Sequence, residues 1–229
     1  MDRKQLTELI THEPTVFILG AGLSTSSGIS DFKSLQNKFD TTKLLSIDAY
    51  YHNYWQQHDF IAKYLMTPGL PNEAHRWLAQ LSQQENIHLI SQNIDTILEH
   101  AGVISKQLLK IHGTLDRFID ENQNEIQLTE EEYKQMTPAT GDLNHARPDI
   151  VFYGEQVKNF DQASLWVNQA KIVVVIGTRL NVFPVNQLVL TGSVMEKLII
   201  INTDHLDFKS TPNLTVEQIN EPIDTWLLK

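Results

Sequence analysis

The sequence predicts an α/β fold built on a mostly parallel sheet. Short apolar runs alternate with amphipathic stretches along the chain, and glycine or proline punctuates several of the joins. The cores of the apolar runs carry little polar alternation, as strands covered on both faces do; Val173, Val174, Val175 and Ile176 are the clearest case. At 229 residues the chain can bury one sizeable core, or one core and a small subdomain.

Taken in order, the first strand is expected at Thr15–Leu19, between Pro14 and Gly20. Further strands are expected at residues 87–90, 108–111, 150–153, 171–176, 198–201 and 214–216. Residues 72–83 place Ala74, Leu78 and Leu81 at spacings of three and four, which predicts a helix. The aromatic-rich stretch 48–65 is also expected to be helical. Residues 116–146 differ: they are polar, carry Glu130, Glu131 and Glu132, and hold turn signals at Pro138 and Gly141. They read as a small appended lobe or flexible insertion, with the acidic triplet on a solvated helix face.

Composition narrows the function. A hydrophobic share of 41% is that of a globular chain, not a disordered one. A net charge of -10 repels phosphate backbones, so no nucleic-acid partner is expected. No apolar run approaches the roughly 20 residues a membrane span needs, and residues 1–10 are too polar for a signal peptide, so the expected location is cytoplasmic with no membrane partner. The absence of cysteine excludes disulfides, thiol chemistry and any Cys-ligated metal. The nine histidines show no tight ligand spacing, with His52 and His58 or His75 and His88 as the nearest candidates, so no metal site is expected.

Gly20-Ala21-Gly22 follows the first strand directly, and Ser24, Thr25, Ser26 and Ser27 come next. Glycine lets a pyrophosphate approach the backbone, and hydroxyls and N–H groups opening a helix favour an anion. A simple strand-to-helix turn reads the same way, and the G-x-G-x-x-G dinucleotide spacing is absent because Gly28 comes too late. Gln92, Asn93 and Asp95 fall just past the second strand, where doubly wound sheets bind ligands; a polar turn capping a helix through Asp95 is the alternative. His112, at the end of another strand and before a glycine, has the side chain best suited to a general base near neutrality, or it is a structural histidine.

Longer blocks are more specific. The stretch from Gly20 through Gly28-Ile29-Ser30-Asp31-Phe32-Lys33 to Ser34 resembles the signature of the sirtuin family, the NAD-dependent protein deacylases. Pro71-Asn72-Glu73-Ala74-His75, Ser91-Gln92-Asn93-Ile94-Asp95, Ile111-His112-Gly113, the segment from Arg147-Pro148-Asp149 to Glu155, Ile176-Gly177-Thr178-Arg179-Leu180 and Ile201-Asn202 match further family blocks in order, across residues 15–202. The chain resembles a small, divergent, bacterial-type member without the zinc-binding cysteines. The resemblance implies a Rossmann-like doubly wound parallel sheet with a reduced, zinc-free small lobe, all within one catalytic domain. Its core would be residues 1–40, 69–112 and 147–229, with a helical cofactor-loop insertion at 41–68 and the small lobe at 113–146.

The resemblance also implies the chemistry. NAD+ is consumed as co-substrate and would be held by Gly20, Ala21, Gly22, Ser24, Thr25, Ile29, Asp31, Phe32, Lys33, Gln92, Asn93, Ile94, Asp95, His112, Gly177, Thr178, Arg179, Asn202 and Thr203. Asn93 would hold the nicotinamide ribose and a water, Asp95 the carboxamide, and Phe32 would cover the pocket. The amide oxygen of an acyl-lysine attacks C1′ as nicotinamide leaves, and His112 activates the ribose hydroxyl that attacks the resulting imidate. Hydrolysis by water then gives free lysine and O-acyl-ADP-ribose. Ile150, Val151, Phe152, Tyr153, Gly154 and Glu155 would sandwich the acyl-lysine peptide through strand-edge groups, and a monomer is expected.

Departures from the family pattern are also visible. The interval after Gly113 holds no cysteine, so the packing of Leu115, Phe118, Ile126, Leu128 and Tyr133 is expected to replace zinc. Lys33 stands where arginine is usual, Arg179 where serine is usual, and Leu98 where histidine is usual. No feature favours a negatively charged acyl group, so acetyl or longer apolar chains are expected. ADP-ribosyl transfer or NAD+ hydrolysis on the same scaffold, and a non-catalytic binding module, are the competing readings; the retained His112 argues against the first, and intact Asn93, Asp95 and His112 argue against the second.

Overall fold

The computed structural model describes residues 1–29, 32–141 and 143–228, with residues 32 and 33 described in the backbone alone. The strands are β1 (Thr15–Leu19), β2 (Ile87–Ser91), β3 (Leu108–Lys110), β4 (Gly113–Ile119), β5 (Glu125–Ile126), β6 (Arg147–Ile150), β7 (Ile172–Ile176), β8 (Lys197–Ile201) and β9 (Thr215–Ile219). Six of them form a parallel sheet in the order β3-β2-β1-β7-β8-β9. The chain builds outward from β1 to β2 and β3, then returns to the other side of β1 for β7, β8 and β9. That reversal is the switch point of a doubly wound sheet.

Alternating side chains divide the core into two layers. Phe17, Leu19, Leu89, Val174, Ile176 and Ile199 pack on one face, against Leu78 and Trp77 of the helix Glu73–Leu81 and Trp226 of the helix Ile223–Leu227. Val16, Ile18, Ile90, Val173, Val175 and Ile200 pack on the other, against Ala163 and Val167 of the helix Phe160–Gln169. All five residues of β1 and of β7 are buried, as their uninterrupted apolar character demands.

The remaining strands form a small antiparallel sheet, ordered β5-β4-β6. The strand expected at residues 150–153 in the parallel core is therefore corrected. It lies earlier, at Arg147–Ile150, and pairs antiparallel with β4, Gly113 opposite Ile150. The physical reason sits at Gly113, whose φ of +79° turns the chain back after β3; a Cβ there would come 1.9 Å from the Asp149 carbonyl oxygen. Residues beyond Ile150 leave the strand because Arg147, buried, donates to the Ile150 carbonyl and pairs with Glu155, folding the segment on itself.

The lobe beyond His112 is ordered by packing. Phe118, Tyr133, Leu115, Met136 and Ile150 are buried in a third cluster, with Ile126 and Leu128 packed against it. All five residues expected to replace zinc belong to this cluster. It extends to Tyr50, Tyr54, Phe60 and Ile61, so the lobe and the helical segment share one core. The helix Glu130–Gln135 is capped by Thr129 and Glu132, and its acidic first turn complements the helix dipole. The stretch expected as one helix at 48–65 breaks into Ile47–His52, Tyr54–Phe60 and a π-helical turn Ile61–Leu65, because Asn53 (φ −140°, ψ 39°) leaves helical geometry. Among the described residues, no helix is long and apolar enough to cross a membrane.

Candidate active site

Parallel register brings the strand ends level. Leu19 pairs with Ser91 and with Ile176, and Ile176 pairs with Ile201. The residues that follow, Gly20, Gln92, Gly177 and Asn202, therefore emerge side by side at one edge.

The glycine turn is held against the β7 end. Gly20 N–H donates to the Ile176 carbonyl at 3.0 Å, and Gly22 N–H to the Gly177 carbonyl at 2.8 Å. A Cβ on Gly20 would lie 2.5 Å from Thr178 Cβ, and one on Gly22 2.7 Å from Gly177 Cα, so only glycine permits this approach. The expected helix start is corrected: Ala21–Leu23 and Thr25–Ser27 are successive 3-10 turns. Their tighter repeat uses the N–H groups of Leu23, Ser24 and Ser27 within the turn itself, rather than offering them to an anion.

Asn93, Ser24 and His75, all buried, form one network with the half-buried Asp95. Asn93 Nδ2 donates to the Gly20 carbonyl at 3.2 Å and to Ser24 Oγ at 3.3 Å. Both amide protons are thereby used, and Oδ1 is what this side chain can offer a ligand. Asp95 Oδ1 accepts from Ile97 N–H at 3.0 Å, and burial holds its carboxyl above the usual carboxylate range against the opposing pull of that bond and of Lys110. Lys110 Nζ donates to the Asp95 carbonyl and sits 3.0 Å from Glu99. Ser24 Oγ has one proton and two acceptors within reach, Asp95 Oδ2 at 3.4 Å and His75 Nε2 at 3.3 Å.

His75 went unassigned in the sequence. Its ring is fully buried, and burial, with Arg76 adding, lowers its pKa to about 4, so it is neutral. Asn72 Nδ2 donates to Leu23 O and Ser26 Oγ, which turns Asn72 Oδ1 toward the ring. That oxygen only accepts and lies 2.5 Å from Nδ1, whereas the Asn72 N–H, which would need Nδ1 to accept, lies 3.4 Å away; the shorter contact sets the proton on Nδ1 and leaves Nε2 as an acceptor for Ser24. The one available signal was the Asn72-x-x-His75 spacing, which is also that of an ordinary helix cap.

His112 lies in the turn between β3 and β4, with Nδ1 2.9 Å from the Gln92 carbonyl. A carbonyl accepts only, so Nδ1 carries the proton and Nε2 is left with its lone pair. Burial lowers the pKa of this histidine and the bond to Gln92 works against that shift, so the neutral ring dominates near neutral pH. Gln92 is fixed in turn by its side-chain bonds to Thr178 Oγ1.

On the far side of the switch point, Asn202 Nδ2 donates to the Thr178 carbonyl at 2.8 Å, and both residues are buried. Arg179 pairs with Asp204, and Thr203 lies between Asn202 and Asp204. Ile29 packs beside Gly69 and Ile97, while Ile94 packs against the third cluster and its carbonyl accepts from Leu115 N–H at 3.0 Å. Asp31 lies outside the described residues, as do the side chains of Phe32 and Lys33.

The segment Ile150 to Glu155 runs past His112: Val151 N–H donates to the His112 carbonyl at 2.9 Å. Its free-edge character is corrected in part. The N–H groups of Phe152, Tyr153 and Glu155 also have partners inside the chain, at Glu155 Oε2, Leu45 O and Phe152 O. The Arg147 guanidinium lies over the rings of Tyr50 at 5.1 Å and Phe152 at 4.6 Å, fixing the segment to the helical insertion. Among the described residues, no group of three or more His, Cys, Asp or Glu side chains could hold a metal ion. An open cavity of about 620 Å³, lined by Phe39, Phe60, Lys63, Tyr64, Lys134 and neighbours, includes none of the site residues.

Comparison with known proteins agrees with the fold. The Sir2 family model matches residues 20–184. An NAD-dependent protein deacetylase of Staphylococcus epidermidis is 34% identical, over 94% of this chain and 92% of its own. An NAD-dependent protein deacylase of Bacteroides thetaiotaomicron is 33% identical, over 74% of this chain and 76% of its own. A solved Sir2 structure bound to a propionylated peptide has a TM-score of 0.81 at 28% identity, covering 100% of this chain and 96% of that one. A Sir2 homologue in complex with ADP-ribose has a TM-score of 0.83 at 25% identity, covering 100% and 94%. With the family model across most of the chain and a relative one-third identical over nearly its whole length, the chain belongs to the Sir2 family, the sirtuins.

Proposed function

We infer that this chain is an NAD+-dependent protein lysine deacylase that yields nicotinamide, O-acyl-ADP-ribose and free lysine. The observation that carries the reading is His112, locked as the Nδ1–H tautomer by the Gln92 carbonyl at the same sheet edge as Asn93, Asp95 and the glycine turn. The polar lining fits a dinucleotide: glycines bring the backbone close, and Asn93 Oδ1 with the hydroxyls of Ser24 and Thr178 are buried neutral groups suited to ribose hydroxyls.

Bound NAD+ supplies the activated glycosidic carbon that the acyl-lysine amide oxygen attacks. The chain's residues do the rest. Asn93 offers Oδ1 toward the nicotinamide ribose, and Asp95 binds the carboxamide beside Ile94. His112 Nε2 takes the proton from a ribose hydroxyl as general base. Ile150 to Glu155 hold the acyl-lysine beside that imidazole, with Arg147 and Glu155 fixing their shape. This reading includes a cytoplasmic monomer as the working form, which light scattering and cell fractionation test.

The test is incubation with NAD+ and an acetyl-lysine peptide, read by mass. O-acetyl-ADP-ribose and the deacetylated peptide are the expected products. ADP-ribosylated protein, or free ADP-ribose formed without peptide, would place the chemistry with the competing reading instead.

A further inference from the structure

We propose that the Arg179–Asp204 ion pair is the cofactor-selectivity element of this site, closing it to dinucleotides that carry a 2′-phosphate on the adenosine ribose. The inference rests on the dinucleotide reading above and adds to it the residues that read the adenosine end.

Position comes first. The reactive side chains Asn93, Asp95 and His112 all follow β2 or β3, on one side of the switch between β1 and β7. A dinucleotide lying across that switch carries its second nucleoside past the ends of β7 and β8. Thr178 and Asn202 close those two strand ends with a bond of 2.8 Å. Just beyond them stand Arg179 on the β7 side and Asp204 on the β8 side.

Geometry and charge follow. Arg179 Nε and Nη2 each lie 2.6 Å from Asp204 Oδ2, so the fork of the guanidinium is committed to one carboxylate oxygen. The two side chains are 43% and 45% exposed, which leaves the pair within reach of a ligand. The loop that carries Asp204 is pinned: Leu206 N–H donates to Gln218 Oε1 at 3.0 Å, and Gln218 Nε2 donates back to the Leu206 carbonyl at 2.5 Å. Gln218 belongs to β9, so Asp204 is held at the sheet edge.

An ionised carboxylate in this place accepts from a ribose 2′-hydroxyl and repels a 2′-phosphate. It also occupies the guanidinium fork that would otherwise bind phosphate through two charge-assisted bonds. Asp204 thus excludes the phosphate twice, by its own charge and by its hold on Arg179. An exposed pair contributes little to stability, so variants here are expected to fold.

The experiment is isothermal titration of the full chain with NAD+, NADP+, ADP-ribose and 2′-phospho-ADP-ribose. It uses wild type, Asp204→Asn, and Asp204→Asn combined with Arg179→Ala. Wild type is expected to favour the unphosphorylated ligand of each pair. Asp204→Asn should weaken NAD+ a few fold and tighten NADP+ about tenfold, the scale of one freed charge-assisted contact. Adding Arg179→Ala should remove that gain. An unchanged NADP+ to NAD+ affinity ratio in Asp204→Asn would overturn the proposal, as would a gain that survives the loss of Arg179. Wild type binding neither NAD+ nor ADP-ribose would instead bring down the dinucleotide reading on which the proposal stands.

Discussion

Replacing Tyr133 with alanine is expected to loosen the small sheet from the rest of the molecule. The Tyr133 ring is 1% exposed and packs between Phe118, at a centroid distance of 5.2 Å, and His58, at 4.4 Å. Phe118 comes from β4 and His58 from the helix Tyr54–Phe60, so one ring joins the lobe to the helical insertion. The His58 Nε2 contact with the Tyr133 main-chain carbonyl, 2.8 Å, survives truncation, so the loss is one of packing. Emptying a buried aromatic site costs about 3–5 kcal/mol. Against a total of roughly 5–15 kcal/mol for a folded domain, that is a large share. Urea unfolding followed by circular dichroism should show the midpoint falling by about 1–2 M. Phe118→Leu, which keeps most of the volume, should cost less than about 1.5 kcal/mol. Added chelator should leave the wild-type midpoint and activity unchanged. A Tyr133→Ala loss under about 1 kcal/mol, or a chelator-sensitive wild type, would refute the claim that packing holds this lobe.

Acid should destabilise the chain through its buried histidines. The folded-state pKa of His75 is about 4 against an ordinary 6.5, so the unfolded chain binds that proton first. Stability is therefore full above the ordinary value and is lost as pH falls from there toward about 4, by an amount on the order of 3 kcal/mol from His75. His112 acts in the same direction, while Asp95, held up by burial, opposes it lower in the range. Melting temperatures across this range should fall less steeply in His75→Gln; a wild-type curve flat in pH would contradict the assignment of His75 as neutral and buried. Gly22→Ala would push a methyl within 2.7 Å of Gly177 Cα and part the turn from β7. Calorimetry should find NAD+ binding weakened at least about tenfold, and unaltered affinity would mean that the turn does not shape the site.

The parts of the fold that could be read in advance are those where burial alone decides. Thr15–Leu19 and Val173 to Ile176 are apolar without alternation because helices cover both faces of their sheet. Ile150 to Tyr153 has similar composition, yet Ile150 is the last residue of an antiparallel pair and Phe152 packs into the third cluster. Apolar character states that a residue is buried, not in which sheet, and the deciding element was the backward turn at Gly113. The placement of Gly20, Asn93 and His112 together at one sheet edge was legible because each comes just after a strand. His75 was not, because its meaning depends on Ser24, 51 residues away, and on the tautomer that Asn72 imposes. Arg179 could be seen as an unusual cation, but its neutralising partner Asp204 becomes visible only when β7 and β8 lie side by side.

The proposed site has a dinucleotide at this sheet edge with the unprotonated Nε2 of His112 facing its ribose. Mass analysis of His112→Ala with NAD+ and acetyl-lysine peptide, beside calorimetric NAD+ titration of the same variant, tests it most directly. NAD+ binding close to wild type and no O-acetyl-ADP-ribose are expected. Deacetylation at the wild-type rate in that variant would contradict this placement.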